Sequence, residues 1–230
     1  MSYTEDIHQV ESFLDAVRDL QPYPSEFVSN GMRWTLFGDV FPSTITSGTD
    51  VFTAMLDEAG AFTGSFCEVG AGPGVIGCTA ALRGASQVVM TDINPRAVSN
   101  SLTNVRRKGV ESHVDTYVSD IFDAVPDSSS FDSIFWNVPW GKPSSDYVLT
   151  DGISRAVFDP GYRLQYRYIR DSKKFLSSAG NAYIGTTQIG DIELLHDIAN
   201  SLGASLVVVE SMTRIELPSP ITYVLLRVKW

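Results

Sequence analysis

Three clusters of residues in this chain have the types and spacing to do chemistry. The first is Glu68-Val69-Gly70-Ala71-Gly72-Pro73-Gly74, which follows an apolar run and opens a stretch of small residues. Glycines in that position let the backbone turn sharply and approach a bound ligand without a Cβ clash. Gly72, Gly74 and Gly77 also fit the G-x-G-x-x-G spacing of dinucleotide enzymes, so the loop alone leaves the ligand open. The second cluster is Thr91-Asp92-Ile93-Asn94-Pro95. Asp92 lies 20 residues beyond Gly72, the distance at which a carboxylate reaches vicinal ribose hydroxyls in a strand–turn–helix unit. It could equally cap the following helix. Further on, Ser119-Asp120-Ile121-Phe122 offers Asp120 to an adenine amino group and Ile121, like Ile93, as an apolar wall; taken alone, Asp120 also reads as a turn residue. The third cluster is Asn137-Val138-Pro139-Trp140, entered through Phe131-Asp132-Ser133-Ile134-Phe135-Trp136.

Positioning these clusters requires a regular scaffold, and the hydrophobic pattern supplies one. Residues 4–20 place Ile7, Val10, Phe13, Leu14, Val17 and Leu20 on one helix face, ended by Pro22 and Pro24. Glu26 to Phe37 alternates around Asn30-Gly31, a hairpin signal. A helix follows from about Asp50 to Ala59. From Ser65 onward the pattern is strand, turn, helix, repeated: strands at Ser65 to Val69, Gln87 to Asp92, 113–118 and 131–136, with helices at Val75 to Arg83 and Pro95 to Lys108. A loop over 137–160 comes next, then a helix at 161–178, a strand at 181–186 and a helix at 190–202. Leu206 to Glu210 and Tyr223 to Val228, with only a proline-containing loop between them, pair antiparallel. Crossover-length helices between strands predict an α/β fold with a doubly wound, seven-stranded, mostly parallel sheet. Residues 1–45 are expected to form a helix and hairpin lid over a catalytic domain of residues 46–230.

Composition narrows the partners. The 230 residues carry 17 Lys+Arg against 27 Asp+Glu, a net charge of −10 and a pI near 4.7. A polyanion is usually gripped by a basic surface, so no nucleic acid is expected; Arg106, Arg107 and Lys108 read as a helix end complementing its dipole. Cys67 and Cys78 fall in apolar stretches with neither disulfide nor metal spacing, and His8, His113 and His196 are scattered. No apolar run reaches membrane-spanning length and the start is unlike a signal peptide, which predicts a cytoplasmic protein without a membrane partner.

Asn137-Val138-Pro139-Trp140, after a Phe-Asp-containing strand and in register with the two earlier clusters, resembles the (N/D)PP(Y/F/W) signature of amino-methyltransferases. These enzymes belong to the Rossmann-like class that uses S-adenosylmethionine. The resemblance covers about residues 41–186 and is nearest to the branch that modifies release-factor glutamines. Val40-Phe41-Pro42 and the Thr-rich run to Thr49-Asp50 look like that branch's pre-motif loop. Asp159-Pro160-Gly161-Tyr162, Tyr166-Arg167-Tyr168-Ile169 and Leu176-Ser177-Ser178-Ala179-Gly180 look like its post-signature helix.

The resemblance implies that Glu68, Gly70, Gly72, Gly74, Asp92, Ile93, Asp120, Ile121 and Asn137 contact the cofactor. It also implies that Asn137, Pro139 and Trp140 form the catalytic signature: the Asn side chain and the next backbone carbonyl hold the target amine, and the aromatic residue stacks on it. Phe41, Trp140 and Tyr147 are expected on the substrate. Trp34 and Trp136 could join them in an aromatic cage around a cation, although Trp136 reads equally as core.

Two departures matter: Val138 in place of the first proline is expected to loosen the loop, and the first forty residues stand where the family has a partner-recognition domain, which counts against a release-factor substrate. The expected reaction is methyl transfer to nitrogen of a small molecule or a peptide amide or amine. The alternatives are closure of S-adenosylmethionine itself to azetidine-2-carboxylate and methylthioadenosine, and an NAD-binding module, in which the Asn-Val-Pro-Trp run has no role.

Overall fold

The sheet follows from strands buried on both faces and separated by helices of crossover length. In the computed structural model, which describes residues 14–15, 17–18, 25–216 and 219–230, a two-stranded hairpin precedes it: β1 (Glu26–Ser29) and β2 (Met32–Thr35), antiparallel. Asn30 and Gly31 occupy the turn with φ of 51° and 71°, the left-handed conformations that make this pair a hairpin signal. Of the helix expected over 4–20, residues 14–15 and 17–18 are helical, and the rest lies outside the described residues.

The main elements then run α1 (Gly48–Glu58), β3 (Ser65–Val69), α2 (Val75–Leu82), β4 (Gln87–Asp92), α3 (Pro95–Lys108), β5 (Val114–Val118), β6 (Phe131–Asn137), α4 (Gly152–Val157), α5 (Arg163–Ser172), β7 (Leu176–Thr187), α6 (Ile192–Ser201), β8 (Ser205–Arg214) and β9 (Ile221–Lys229). Seven strands form one sheet in the order β5-β4-β3-β6-β7-β9-β8. All adjacent pairs from β5 to β7 are parallel, and β9 runs antiparallel to both β7 and β8. This is the expected doubly wound α/β sheet with an antiparallel strand near the C-terminus. Its order reverses between β3 and β6, so the crevice at their carboxyl ends is the place where such sheets bind ligands.

Three local expectations change. The loop expected over 137–160 contains the six-residue helix α4, started by Asp151: its carboxylate accepts from Ser154 N at 2.6 Å and the Ser154 side chain answers the Asp151 backbone, a reciprocal cap. The helix expected to reach 178 stops at Ser172 and passes through a 3-10 turn (Lys173–Phe175) into β7. That strand begins at Leu176 and bulges, because its partners step from Phe131↔Leu176 to Ser133↔Asn181.

Two apolar layers cover the sheet. One lies under α1, α2, α3 and the hairpin, with Phe52, Phe66, Met90 and Phe135; the other lies under α5 and α6, with Ile134, Tyr168, Ile184 and Leu226. The hairpin is fastened to α3 by two buried amides. Asn104 accepts from Thr35 N (2.8 Å) and donates to the carbonyls of Thr35 and Pro73 (2.9 and 2.8 Å), while Asn100 bridges Phe37 N and Thr35 O. Trp34 is fully buried there, donating to Ser29 O with Lys108 over its ring, so it belongs to the core and not to an aromatic cage.

Candidate functional site

A cavity of about 420 Å³ opens at the switch point, bounded by the glycine loop after β3, Asp92 and Ile93 after β4, Asp120 and Ile121 after β5, and Asn137 to Trp140 after β6. That volume lies within the range of small-molecule sites. Phe41 and Tyr147 line the same cavity, as do Thr46, Thr49 and Tyr223; of the expected site residues Gly74 is not on its wall, because it starts α2 at φ 78° with its Cα facing Ser101 of α3, and Trp34 lies in the core.

The glycine loop is held from beneath by Glu68. Its carboxylate, 4% exposed, accepts a hydrogen bond from Gly77 N at 2.7 Å. Gly77 lies in the first turn of α2, where backbone N–H groups have no partner within the helix. A side chain at Gly77 would put its Cβ 2.9 Å from that carboxylate and 2.4 Å from Met90 Sδ. Burial pushes the Glu68 carboxyl up to about 8, against the lowering effect of the Gly77 bond, and the charge of Asp92 pushes the same way as burial. At Gly70 the constraint is twofold: φ is 63°, and a Cβ would meet Trp136 Nε1 at 2.7 Å. Trp136 is both core and cavity wall, packed against Tyr168 with ring centroids 5.4 Å apart.

Asp92 uses one oxygen to accept from Gly72 N and the other to accept from Asn94 N, both at 2.8 Å. The helix cap considered for Asp92 is given by Asn94, whose side chain accepts from Arg96 N. Burial raises the Asp92 carboxyl, and the two backbone bonds oppose that. An ionised carboxylate offers about four acceptor sites, so two backbone bonds leave acceptor capacity for ribose hydroxyls. Ile93, beside it, is 42% exposed despite its apolar side chain and forms an apolar face on the cavity.

Asp120 has a partner that the sequence did not disclose. Arg167 from α5 reaches its Oδ2 at 2.6 Å and extends to Asp123 at 3.1 Å. Ile121, next in sequence, sits at φ 57°, a conformation that is strained for a β-branched residue and recurs at functional sites. Ser119 braces it, donating to Ile121 O at 3.1 Å and accepting from Ala124 N.

The signature loop is pinned, not loosened. Val138 N donates to Gly185 O at 3.0 Å, a bond that a proline at this position could not make. Substitution of the signature's first proline therefore continues the β6–β7 pairing by one residue. Pro139 O accepts from Gln165 Nε2 (3.0 Å) and Trp140 O from the Tyr162 hydroxyl (2.8 Å). Among the described residues, neither the Asn137 side chain nor the Val138 carbonyl has a protein partner. Phe41, Trp140, Tyr147 and Leu149 pack with Leu14, Val17, Ile153, Val157 and Phe158 into a third apolar cluster beside the opening.

Asp159, Tyr162, Gln165 and Arg167 all escaped assignment to the site. A partial signal was present: Asp159-Pro160 ahead of a helix is a start pattern, and the Asp159 carboxylate accepts from Leu164 N and Gln165 N at the start of α5.

Residues 38–205 match the methyltransferase small domain family. A Methanocaldococcus jannaschii protein named as an N5-glutamine methyltransferase is 31% identical over 116 residues, 49% of this chain and 56% of that one. A ribosomal protein L11 methyltransferase from Desulforamulus reducens is 34% identical over 131 residues, 55% of this chain and 41% of that one. The chain thus spans about half the length of these relatives. The fold is shared with a T. thermophilus 16S rRNA methyltransferase solved with AdoMet and guanosine: TM-score 0.62, 16% identity, covering 90% of this chain and 52% of that one. The expectation that nucleic acid plays no part is overturned by this likeness, because the fold serves an rRNA methyltransferase. No described helix is long and apolar enough to cross a membrane.

Proposed function

Since the chain belongs to the methyltransferase small domain family, with S-adenosylmethionine as its cofactor, we propose that it transfers the methyl group to a nitrogen of a planar amine or amide. The observation that carries this reading is the free pair of acceptors at the end of β6: the Asn137 side chain and the Val138 carbonyl, with neighbouring carbonyls already occupied. Two acceptors on consecutive residues of one cavity wall suit an –NH2 group, whose two N–H bonds they would hold while its lone pair faces the reacting carbon.

The cavity wall fits the cofactor. Asp92 retains acceptor capacity for ribose hydroxyls, Asp120 for an amino group on adenine, and Ile93 and Ile121 offer apolar faces. Glu68, Gly70, Gly72 and Gly74 would shape the remainder. When bound, S-adenosylmethionine supplies an activated methyl group on a sulfonium. Neither an amide side chain nor a peptide carbonyl is basic enough to take a proton at neutral pH, so Asn137 and Val138 act by orientation. Pro139 stiffens the loop, and Trp140, Phe41 and Tyr147 offer flat surfaces to a planar acceptor. The third apolar cluster, which joins Leu14 and Val17 to residues 140–158, supports a lid formed from the N-terminal segment and that loop.

The reading covers a small molecule, a peptide amide or a base amine as acceptor. Closure of S-adenosylmethionine on itself finds no support in the fold or the relatives. The test is to supply methyl-labelled S-adenosylmethionine with a glutamine peptide, with free nucleosides and with an RNA hairpin, and to follow label and S-adenosylhomocysteine. Asn137→Ala should reduce turnover on the labelled acceptor roughly 100-fold with S-adenosylhomocysteine affinity nearly unchanged. Methylthioadenosine released from S-adenosylmethionine alone, or full turnover by the variant, would overturn the proposal.

A further inference from the structure

The loop that carries the acceptor pair is fixed one backbone group at a time by residues from three other elements. Val138 N is taken by β7 through Gly185 O at 3.0 Å. Pro139 O is taken by Gln165, which is 1% exposed and sits in the first turn of α5. Trp140 O is taken by the hydroxyl of Tyr162, which at the same time accepts from Asp191 N at 2.9 Å. Gly141 donates to Val157 O (2.8 Å) and accepts from Asp159 N (2.9 Å). Of the carbonyls of residues 138 to 141, only that of Val138 is without a donor among the described residues.

This pattern has a supporting frame. The Asp159 carboxylate accepts from Leu164 N at 3.1 Å and Gln165 N at 3.0 Å, which fixes the backbone from which Gln165 reaches. Tyr162 is held at φ 53°, an uncommon conformation for a bulky side chain, and its hydroxyl both donates to Trp140 O and accepts from Asp191 N. Burial pushes that phenol up to about 12, so the hydroxyl keeps its proton and remains a donor to Trp140 O.

Resting on the proposed amine methylation, we infer that Gln165 and Tyr162 are positioning residues for the acceptor. By holding the carbonyls of Pro139 and Trp140, they leave the Val138 carbonyl beside Asn137 as the second atom that receives the substrate –NH2. Neither touches the reacting atoms; each acts through the loop. The consequence is specificity for an acceptor nitrogen with two N–H bonds on a flat group, because a loop in any other register would present a different carbonyl or none.

The first readout needs no acceptor. Hydrogen exchange of the S-adenosylhomocysteine-bound protein is followed at the Val138 and Gly141 amides in Gln165→Leu and Tyr162→Phe. Exchange should accelerate roughly tenfold or more in both, while S-adenosylhomocysteine affinity stays within about twofold of the parent. The second readout is turnover on the acceptor labelled in the methylation assay, where kcat should fall roughly 10- to 100-fold with a smaller change in KM. Gln165→Glu adds a signature that a merely structural role would not give. A buried carboxyl can donate to Pro139 O only when protonated, so kcat of this variant should recover as pH falls, relative to the parent at each pH.

Parental exchange in both variants, parental kcat despite accelerated exchange, or loss of S-adenosylhomocysteine affinity in proportion to kcat would each overturn the inference. Asn137→Ala separates the two levels. Full turnover there removes the proposed function itself, whereas an impaired Asn137→Ala beside fully active Gln165→Leu and Tyr162→Phe removes only the positioning role.

Discussion

Glu68→Gln should stabilise the cofactor-free protein, and do so increasingly as pH rises. The Glu68 carboxyl is buried in β3 and pushed from 4.5 to about 8, chiefly by burial. A carboxyl raised in the folded state binds its proton more tightly there than in the unfolded chain, so stability falls with pH between the two values. The loss is absent below about pH 4.5, grows through neutrality and levels off above about pH 8. A shift from 4.5 to about 8 corresponds to a ceiling of about 5 kcal/mol at 1.36 kcal/mol per pH unit, of which about 3 kcal/mol would be felt at pH 7. Glutamine is uncharged at every pH, nearly the same shape, and its side-chain oxygen can still accept from Gly77 N, now 2.7 Å from Oε2.

The assay is thermal or urea unfolding of both proteins without cofactor, from about pH 4.5 to about pH 8.5, plotted as the difference between them. Taking the difference cancels shifted carboxyls that do not interact with Glu68, such as Asp159, raised by burial, and Asp132, lowered by its bonds to Ser65 and Ser177, whereas Asp92, whose charge acts on Glu68, contributes to the difference. The two curves should nearly coincide at the acid end and diverge by roughly 10–20 °C in Tm at the alkaline end, since about 2–4 °C per kcal/mol applies to a chain of this size. Parallel curves, or a variant less stable than the parent at pH 8, would refute the reasoning. Either result would mean that Glu68 is ionised in the fold and supported by more than the bond to Gly77.

Two other perturbations probe the walls of the same cavity. Asp92→Ala should weaken S-adenosylhomocysteine binding by about 1–3 kcal/mol in calorimetry through lost ribose hydrogen bonds and a loosened Gly72 turn; unchanged affinity would remove Asp92 from the cofactor site. Val138→Pro restores the family's proline but deletes the donor to Gly185 O, so urea unfolding should show a loss of about 1–3 kcal/mol, and a more stable variant would show that the bond contributes nothing.

What could be read from the sequence was what short-range chemistry dictates. Asn30-Gly31 specified its turn, Pro95 its helix start, and the Gly70–Gly74 loop its crevice, because each depends on conformations that few residues adopt. α4 was missed because six residues carry too little of a helical period to stand out from a loop, although Asp151 and Ser154 have the spacing of a cap. β8 runs four residues past Glu210, to Arg214, because pairing with β9 extends it through Ser211, Met212 and Thr213, which have little strand character of their own. The same limit applies at the site. Asp92 and Asn137 could be found from their neighbours in sequence. Arg167 against Asp120, and Gln165 against Pro139, are pairings across 47 and 26 residues that only the packing of α5 creates.

The error about nucleic acid has a related cause. A net charge of −10 sums over the whole chain, whereas recognition is decided by the groups that face a substrate. Several of the described arginines lie beside carboxylates: Arg18 with Asp15 and Asp151, Arg83 with Asp57, Arg107 with Glu26, Arg167 with Asp120 and Asp123, Arg170 with Asp171. Those pairs nearly cancel at a distance and leave the excess acid spread over the surface, where salt screens it within about 10 Å. Arg155 and Arg163 differ. Both line the cavity that holds Asn137, and neither side chain has a carboxylate partner among the described residues. A guanidinium facing a substrate cavity without a protein acid is free to meet an anionic group on what enters. A charge summed over the whole chain does not register two such side chains in the wall of one cavity.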